Sequence, residues 1–207
     1  MKLLNFSSYE ILNEIKFGPT GSFPFNKRIE KDSEGINYVE FHYTNEKGQE
    51  KTVCVEFLKL NKILAKRKDK KELKLSQWLD KNYNFSYDDI VWLTFYEYDK
   101  GLDRKEDEYK IPFDKNVDSF KFIFKKMNTI FEILKFIKKE KGIETFLFKS
   151  SENDPYSGID KVVNKRDELY KTYLNYHNIN YVFINHEFDA YCELGYAKID
   201  DFFVFKI

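Results

Sequence analysis

The sequence predicts an α+β fold, a mixed and mostly antiparallel sheet with helices on both faces. Three observations carry that expectation. Two alternating stretches, Asn37–Thr44 and Lys51–Leu58, flank a turn-forming segment that contains Gly48. The run Ile90–Tyr98 (IVWLTFYEY) is apolar on both sides, as a central covered strand must be. Between Val117 and Ile137 apolar residues recur at steps of three and four, the period of one helical face.

Taken in order, Ser8–Ile15 (SYEILNEI) predicts a short helix capped by Ser7 or Ser8. Phe17–Phe25 (FGPTGSFPF) holds two glycines and two prolines and reads as a loop. In the first strand Val39, Phe41 and Tyr43 alternate with polar residues. In the second Val53, Val55 and Phe57 do the same, and Asn45–Glu50 joins the two as a hairpin. Leu60–Lys81 is charged and helical, with Leu60, Ile63, Leu64, Leu73, Leu75, Trp78 and Leu79 able to face inward. After the central strand comes the polar, acidic segment Asp99–Glu108.

The long helix follows. Phe124, Met127, Ile130, Phe131, Leu134 and Ile137 share its predicted inner face with Phe120 and Ile123. Asp118 or Ser119 suits its N-cap, Lys138, Lys139 and Lys141 suit its C-terminal dipole, and Gly142 suits a left-handed C-cap. Ile143–Lys149 (IETFLFK) reads as a strand and Ser150–Gly158 (SSENDPYSG) as a loop. A second helix is expected from about Ile159 to Tyr176, with Val162, Val163, Arg166, Leu169, Tyr170 and Tyr173 inward. Strands Tyr181–Asn185 and Phe202–Ile207, with a segment Phe188–Leu194 between them, close the chain. The expectation is one domain over residues 1–207: a helix and loop (1–34), a three-strand meander with a helical insert (35–98), and a helix–strand–helix–strands unit (117–207).

Composition narrows the function classes. The chain carries 35 basic and 35 acidic residues, so no net charge draws it to nucleic acid or an anionic membrane. The 21 Phe and 15 Tyr supply large buried areas. Cys54 and Cys192 lie far apart in apolar contexts and read as reduced core thiols of a cytoplasmic protein. The N-terminus lacks an apolar signal core, and no apolar run is long enough to span a bilayer.

The order of elements resembles the GNAT-type N-acyltransferase fold. In that family the long helix follows the third strand of a meander, the next strand splays away, and acyl-CoA sits in the gap. A later helix carries an Asn several residues before a Leu-Tyr pair whose Tyr is the general acid. Asn164–Tyr170 (NKRDELY) looks like that element, one residue off its spacing, and puts Tyr170 in the acid's place. The family's phosphate-binding turn, Q/R-x-x-G-x-G/A, belongs between Tyr98 and Phe120. This chain has there a single glycine, Gly101, among several carboxylates. The resemblance therefore implies a kept topology with CoA binding lost. No cofactor is expected, and acetyl-CoA only if catalysis persists. Arg166, Leu169 and Tyr170 (R-x-x-L-Y) also resemble a helix in uncharacterised small proteins of bacteria and their phages. That implies a phage or host-defence accessory role.

Candidate site residues cluster where the resemblance places the gap. The loop Ser150–Gly158 stands after a strand and before a helix, so Ser150, Ser151 and Asn153 could bind an anion beside free helix N–H groups. The same residues could serve only as caps of a surface loop. Arg166 and Tyr170 lie four apart on one helical face and could pair an anion binder with an acid. Structurally, Tyr170 would fill the core and Arg166 would bridge Asp167 or Glu97. Glu97 ends the inward face of Val91, Leu93 and Phe95, where it could act as a base or reach water. The basic run 62–74 is interrupted by Asp69 and Glu72 and lacks interleaved aromatics, which reads as a solvated face rather than a nucleic-acid site. His42, His177 and His186 show no metal-ligand spacing, and no metal site is expected. The expected partner is a protein or a small anionic ligand. The alternative is a divergent acyl-CoA-dependent N-acyltransferase with Tyr170 as acid and Glu97 as base.

Overall fold

The computed structural model describes residues 21–60, 70–83, 85, 87–99, 111–112, 120–152, 165–184 and 200–207. The expected helix at Ser8–Ile15, the side chains of the basic run 62–74, Asn153, the segment Phe188–Leu194 and Cys192 lie outside the described residues.

Among the described residues, eight strands form one mixed sheet. β1 (Glu30–Lys31), β2 (Asn37–Thr44), β3 (Glu50–Lys59) and β4 (Ile90–Asp99) make an antiparallel meander. β6 (Thr145–Glu152) runs parallel to β4, β8 (Asp200–Lys206) runs antiparallel to β6, and β7 (Tyr181–Ile184) runs antiparallel to β8, which completes the order β1-β2-β3-β4-β6-β8-β7. β5 (Ile111–Pro112) pairs with the far end of β4. The one parallel junction among the described residues, between β4 and β6, needs a crossover. The helix α2 (Phe120–Lys141) provides it. A second helix among the described residues, α1 (Lys70–Tyr83), precedes β4, and a third, α3 (Lys165–Tyr176), precedes β7.

Local sequence explains the meander. The β2–β3 turn places Gly48 at φ 78°, and the Asn45 side chain accepts from the backbone N–H groups of Lys47 and Gln49. Val39, Phe41, Val53, Val55 and Phe57 then all point to the α2 side. The predicted cap at Gly142 is present, with φ 69° and its N–H bonded to the Lys138 carbonyl at 2.8 Å. The helix α3 ends on Asn178 instead of a glycine. Asn178 takes φ 53°, and the Ile179 N–H bonds back to the Leu174 carbonyl at 2.9 Å.

The larger core lies between the sheet and the helices α2 and α3. A smaller one lies on the other face, where Trp78 and Leu79 of α1 cover Ile90, Leu147, Ile184 and Val204. Helices thus cover both faces, as expected. The inner face of α2 differs from the predicted stripe in five positions. Lys126, Thr129 and Ile133 are buried, while Phe131 and Ile123 are only partly so. The Thr129 hydroxyl explains its own burial: it donates to the Lys125 carbonyl and accepts from the Phe23 N–H, both at 2.8 Å. Asn128 ties α2 to α3 by accepting from the Tyr173 hydroxyl at 2.6 Å.

The expected loop at Ser150–Gly158 begins later than the sequence suggests. Ser150, Ser151 and Glu152 belong to β6, with Ser151 opposite Asp201 and Glu152 opposite Asp200. The ladder to β8 supplies partners for these polar residues, and a register shift between Lys149 and Ser151 accommodates the extra residue.

Candidate functional site: the fork between β4 and β6

β4 and β6 pair in parallel over only four positions, from Ile90–Thr145 to Leu93–Phe148. Beyond Leu93 and Phe148 the two strands part. β6 stays paired with β8, with a register shift between Lys149 and Ser151. The upper half of β4, Thr94–Asp99, keeps its full ladder with β3 on one side. On the fork side, Glu97 stands opposite Ile111 and Tyr96 opposite Pro112 of β5.

The base of the fork is apolar. A void of about 30 Å³ is lined there by Leu93, Phe95, Met127, Phe148 and Tyr170, among other apolar or aromatic side chains. Tyr170 is 6% exposed and packs edge-on against Phe95 (6.1 Å between centroids), Phe148 (4.9 Å) and Phe203 (5.9 Å). Edge-to-face contacts of this kind add to the burial of the rings themselves. Tyr170 therefore sits at the base of the fork as one ring of an aromatic cluster.

Glu97 points to the same face as Val91, Leu93 and Phe95, also as expected, but neither reaches water nor faces an open cleft. Its side chain and that of Lys126 are both 0% exposed, and Lys126 Nζ stands 3.1 Å from Glu97 Oε1. Lys126 also donates to the Tyr43 hydroxyl at 3.1 Å and lies 5.1 Å from that ring's centroid. Two charges taken this far from water persist only as a compensated, hydrogen-bonded group. The sequence reading missed Lys126 because a lysine within a lysine-rich helix looks like a solvent residue. The available signal was positional, since Ile130, Ile133 and Ile137 follow Lys126 at helical spacing on the buried face.

Ser150 and Ser151 stand on the β6 arm of the fork. Arg166 lies in the first turn of α3, with its side chain outside the described residues, and its neighbour Asp167 is buried. The fork thus gathers Glu97, Tyr170 and the Ser150–Ser151 arm around one strand divergence, while Glu97 and Tyr170 are held by different sets of neighbours.

The opposite face of β4 is polar above α1. The Tyr96 hydroxyl donates to Glu56 at 2.6 Å and the Tyr98 hydroxyl to Glu40 at 2.7 Å, around the buried thiol of Cys54, which is in no disulfide. Burial raises the Tyr96 phenol well above its usual range, and the neighbouring Cys54 and Glu56 add to that. Among the described residues no group of three or more His, Cys, Asp or Glu could hold a metal ion, and no helix is long and apolar enough to cross a membrane.

Comparison with known protein families, curated proteins and solved structures finds no match for this chain.

Proposed function

We propose that this chain is a GNAT-like domain without acyl transfer, working as a binding or interaction module. One observation carries the reading: the two groups that an acyltransferase would need are absorbed by the core. Glu97 is neutralised by Lys126 inside the protein. Tyr170 is packed among Phe95, Phe148 and Phe203. A base and an acid must reach the proton they move, and neither of these side chains is presented to solvent.

The GNAT-like part of the proposal draws support from the strand order. A meander, a long crossover helix, a parallel strand that departs after four pairs and a terminal antiparallel strand pair are the elements that family uses. The loss of CoA draws support from the acidic segment 99–108, which stands in sequence where a pyrophosphate needs positive dipoles. A phage or host-defence accessory role is the biological form of this proposal. It rests on the R-x-x-L-Y resemblance.

The alternative is a divergent N-acyltransferase, favoured by the fork itself. Isothermal titration with acetyl-CoA separates the two. The expected result is no saturable binding. Low-micromolar binding, with turnover lost in Tyr170→Phe, would establish the enzyme instead.

A further inference from the structure

We propose that the larger core holds a binding site for a small uncharged apolar molecule, a dissolved gas or a short hydrocarbon of about two or three heavy atoms, in the void between the sheet and the helices α2 and α3. The inference stands apart from the non-catalytic reading, because it concerns packing inside the core and not proton transfer.

The lining defines the guest. The void of about 30 Å³ is bounded by Leu93 of β4, Met127, Ile130 and Leu134 of α2, Leu174 of α3 and Phe205 of β8, together with neighbouring rings. Each of these six side chains belongs to a residue no more than 5% exposed. Among the described residues no polar atom faces the space. The Tyr173 hydroxyl is spent elsewhere, on Asn128 at 2.6 Å.

The void persists because its aromatic walls are held by groups that do not line it. Phe148 stacks on Phe203 with centroids 5.2 Å apart, Phe131 stacks on His177 at 6.0 Å, and Tyr173 is tied to Asn128. A planar ring anchored in this way cannot flex into a gap, so the walls close it only in part. Close-packed interiors hold few spaces larger than a water molecule, and a space of about 10–15 Å³ is the least that admits one. This void exceeds that size, yet it offers water no hydrogen bond. Water inside would give up the partners it has in bulk. An apolar guest loses nothing of that kind. It also supplies the dispersion contacts that the lining atoms lack on their empty side. Met127, unbranched and flexible, lets the wall adjust to the guest's shape. Volume sets the other limit, since roughly twice the minimum for water leaves no room for an aromatic ring or a fatty chain.

The test probe is xenon, dissolved under pressure over the full chain with its methyl groups carbon-13 labelled. The methyl resonances of Met127, Ile130, Leu134 and Leu174 should shift together and saturate. Those of Leu79, Ile90, Leu147 and Val204, in the core on the other face, should move roughly fivefold less, because dispersion contacts act only at close range. Leu174→Phe adds volume at the void and should cut the shift at Met127 roughly fivefold. The proposal is overturned if no lining methyl saturates, if both cores respond alike, or if a folded Leu174→Phe variant responds undiminished. The comparison of the two cores needs no variant, so it decides the matter even where Leu174→Phe misfolds. Acetyl-CoA titration stays a separate measurement. Its success would overturn the non-catalytic reading, whereas a failed xenon titration overturns only the apolar site.

Discussion

The two halves of β4 belong to one uninterrupted apolar-looking run and are stabilised in different ways. The lower half, Ile90–Leu93, is paired with β3 and β6 and packed by apolar side chains on both faces. The upper half, Thr94–Asp99, has lost β6. It buries Glu97 against Lys126 on one face and directs Tyr96 and Tyr98 to glutamates on the other. Where a strand keeps both neighbours, shape and area suffice. Where it leaves one, every buried polar group must find its own partner.

The sharpest test of this contrast is the buried pair. Glu97→Ala or Lys126→Ala should each cost about 3–5 kcal/mol, because the surviving charge stays buried without compensation. The double change Glu97→Leu with Lys126→Met should recover most of that loss in urea denaturation. If the double variant is as unstable as the sum of the singles, the pair is not one coupled unit.

In the lower half and its helix, only volume should matter. Phe124 is 4% exposed, and Phe124→Ala should cost about 3–5 kcal/mol. Phe131 is only partly buried and stacks at the rim on His177, so Phe131→Ala should cost distinctly less. Equal losses at the two sites would mean that the helix face is rotated from the one described.

The tyrosines give a smaller effect that depends on pH. Burial raises the phenols of Tyr96 and Tyr173 well above their usual value near 10, with Cys54 and Glu56 adding for Tyr96 and Glu132 for Tyr173. The native state then holds protons that the unfolded chain releases. The contribution is present below about pH 10 and lost as pH rises above it. Stability should fall above that pH, with tyrosinate absorbance appearing at these two residues only as the chain unfolds. Normal titration of all tyrosines in the folded protein would contradict the burial of both rings.

The smallest effect is at His177, which stacks on Phe131 and touches the rings of Tyr173 and Tyr176. Partial desolvation lowers its pKa, Lys135 lowers it further, and Glu132 opposes them. The unfolded chain therefore binds the proton first. Stability should decline slightly as pH falls below about 6.5. His177→Gln should flatten that decline, and an unchanged slope would assign it to other groups.

Local sequence alone determined the class of fold, the β2–β3 hairpin, the central run of β4, the extent of α2 and its Gly142 cap. Each follows from interactions within a few residues, namely side-chain period, turn geometry and helix-end hydrogen bonds, which a sequence displays directly. The inward position of Glu97 was legible in the same way from parity along a strand, and that of Tyr170 from period along a helix. The burial of Lys126, the extension of β6 through Ser150–Glu152 and the seating of β5 on the edge of β4 were decided by tertiary structure. In each case the deciding partner is distant in sequence: Glu97 for Lys126, Asp200 and Asp201 for the end of β6, Tyr96 and Glu97 for β5. A lysine or a serine carries no mark of such a partner. A charge becomes tolerable in a core, and a polar stretch becomes a strand, only when the folded chain brings up the group that satisfies it.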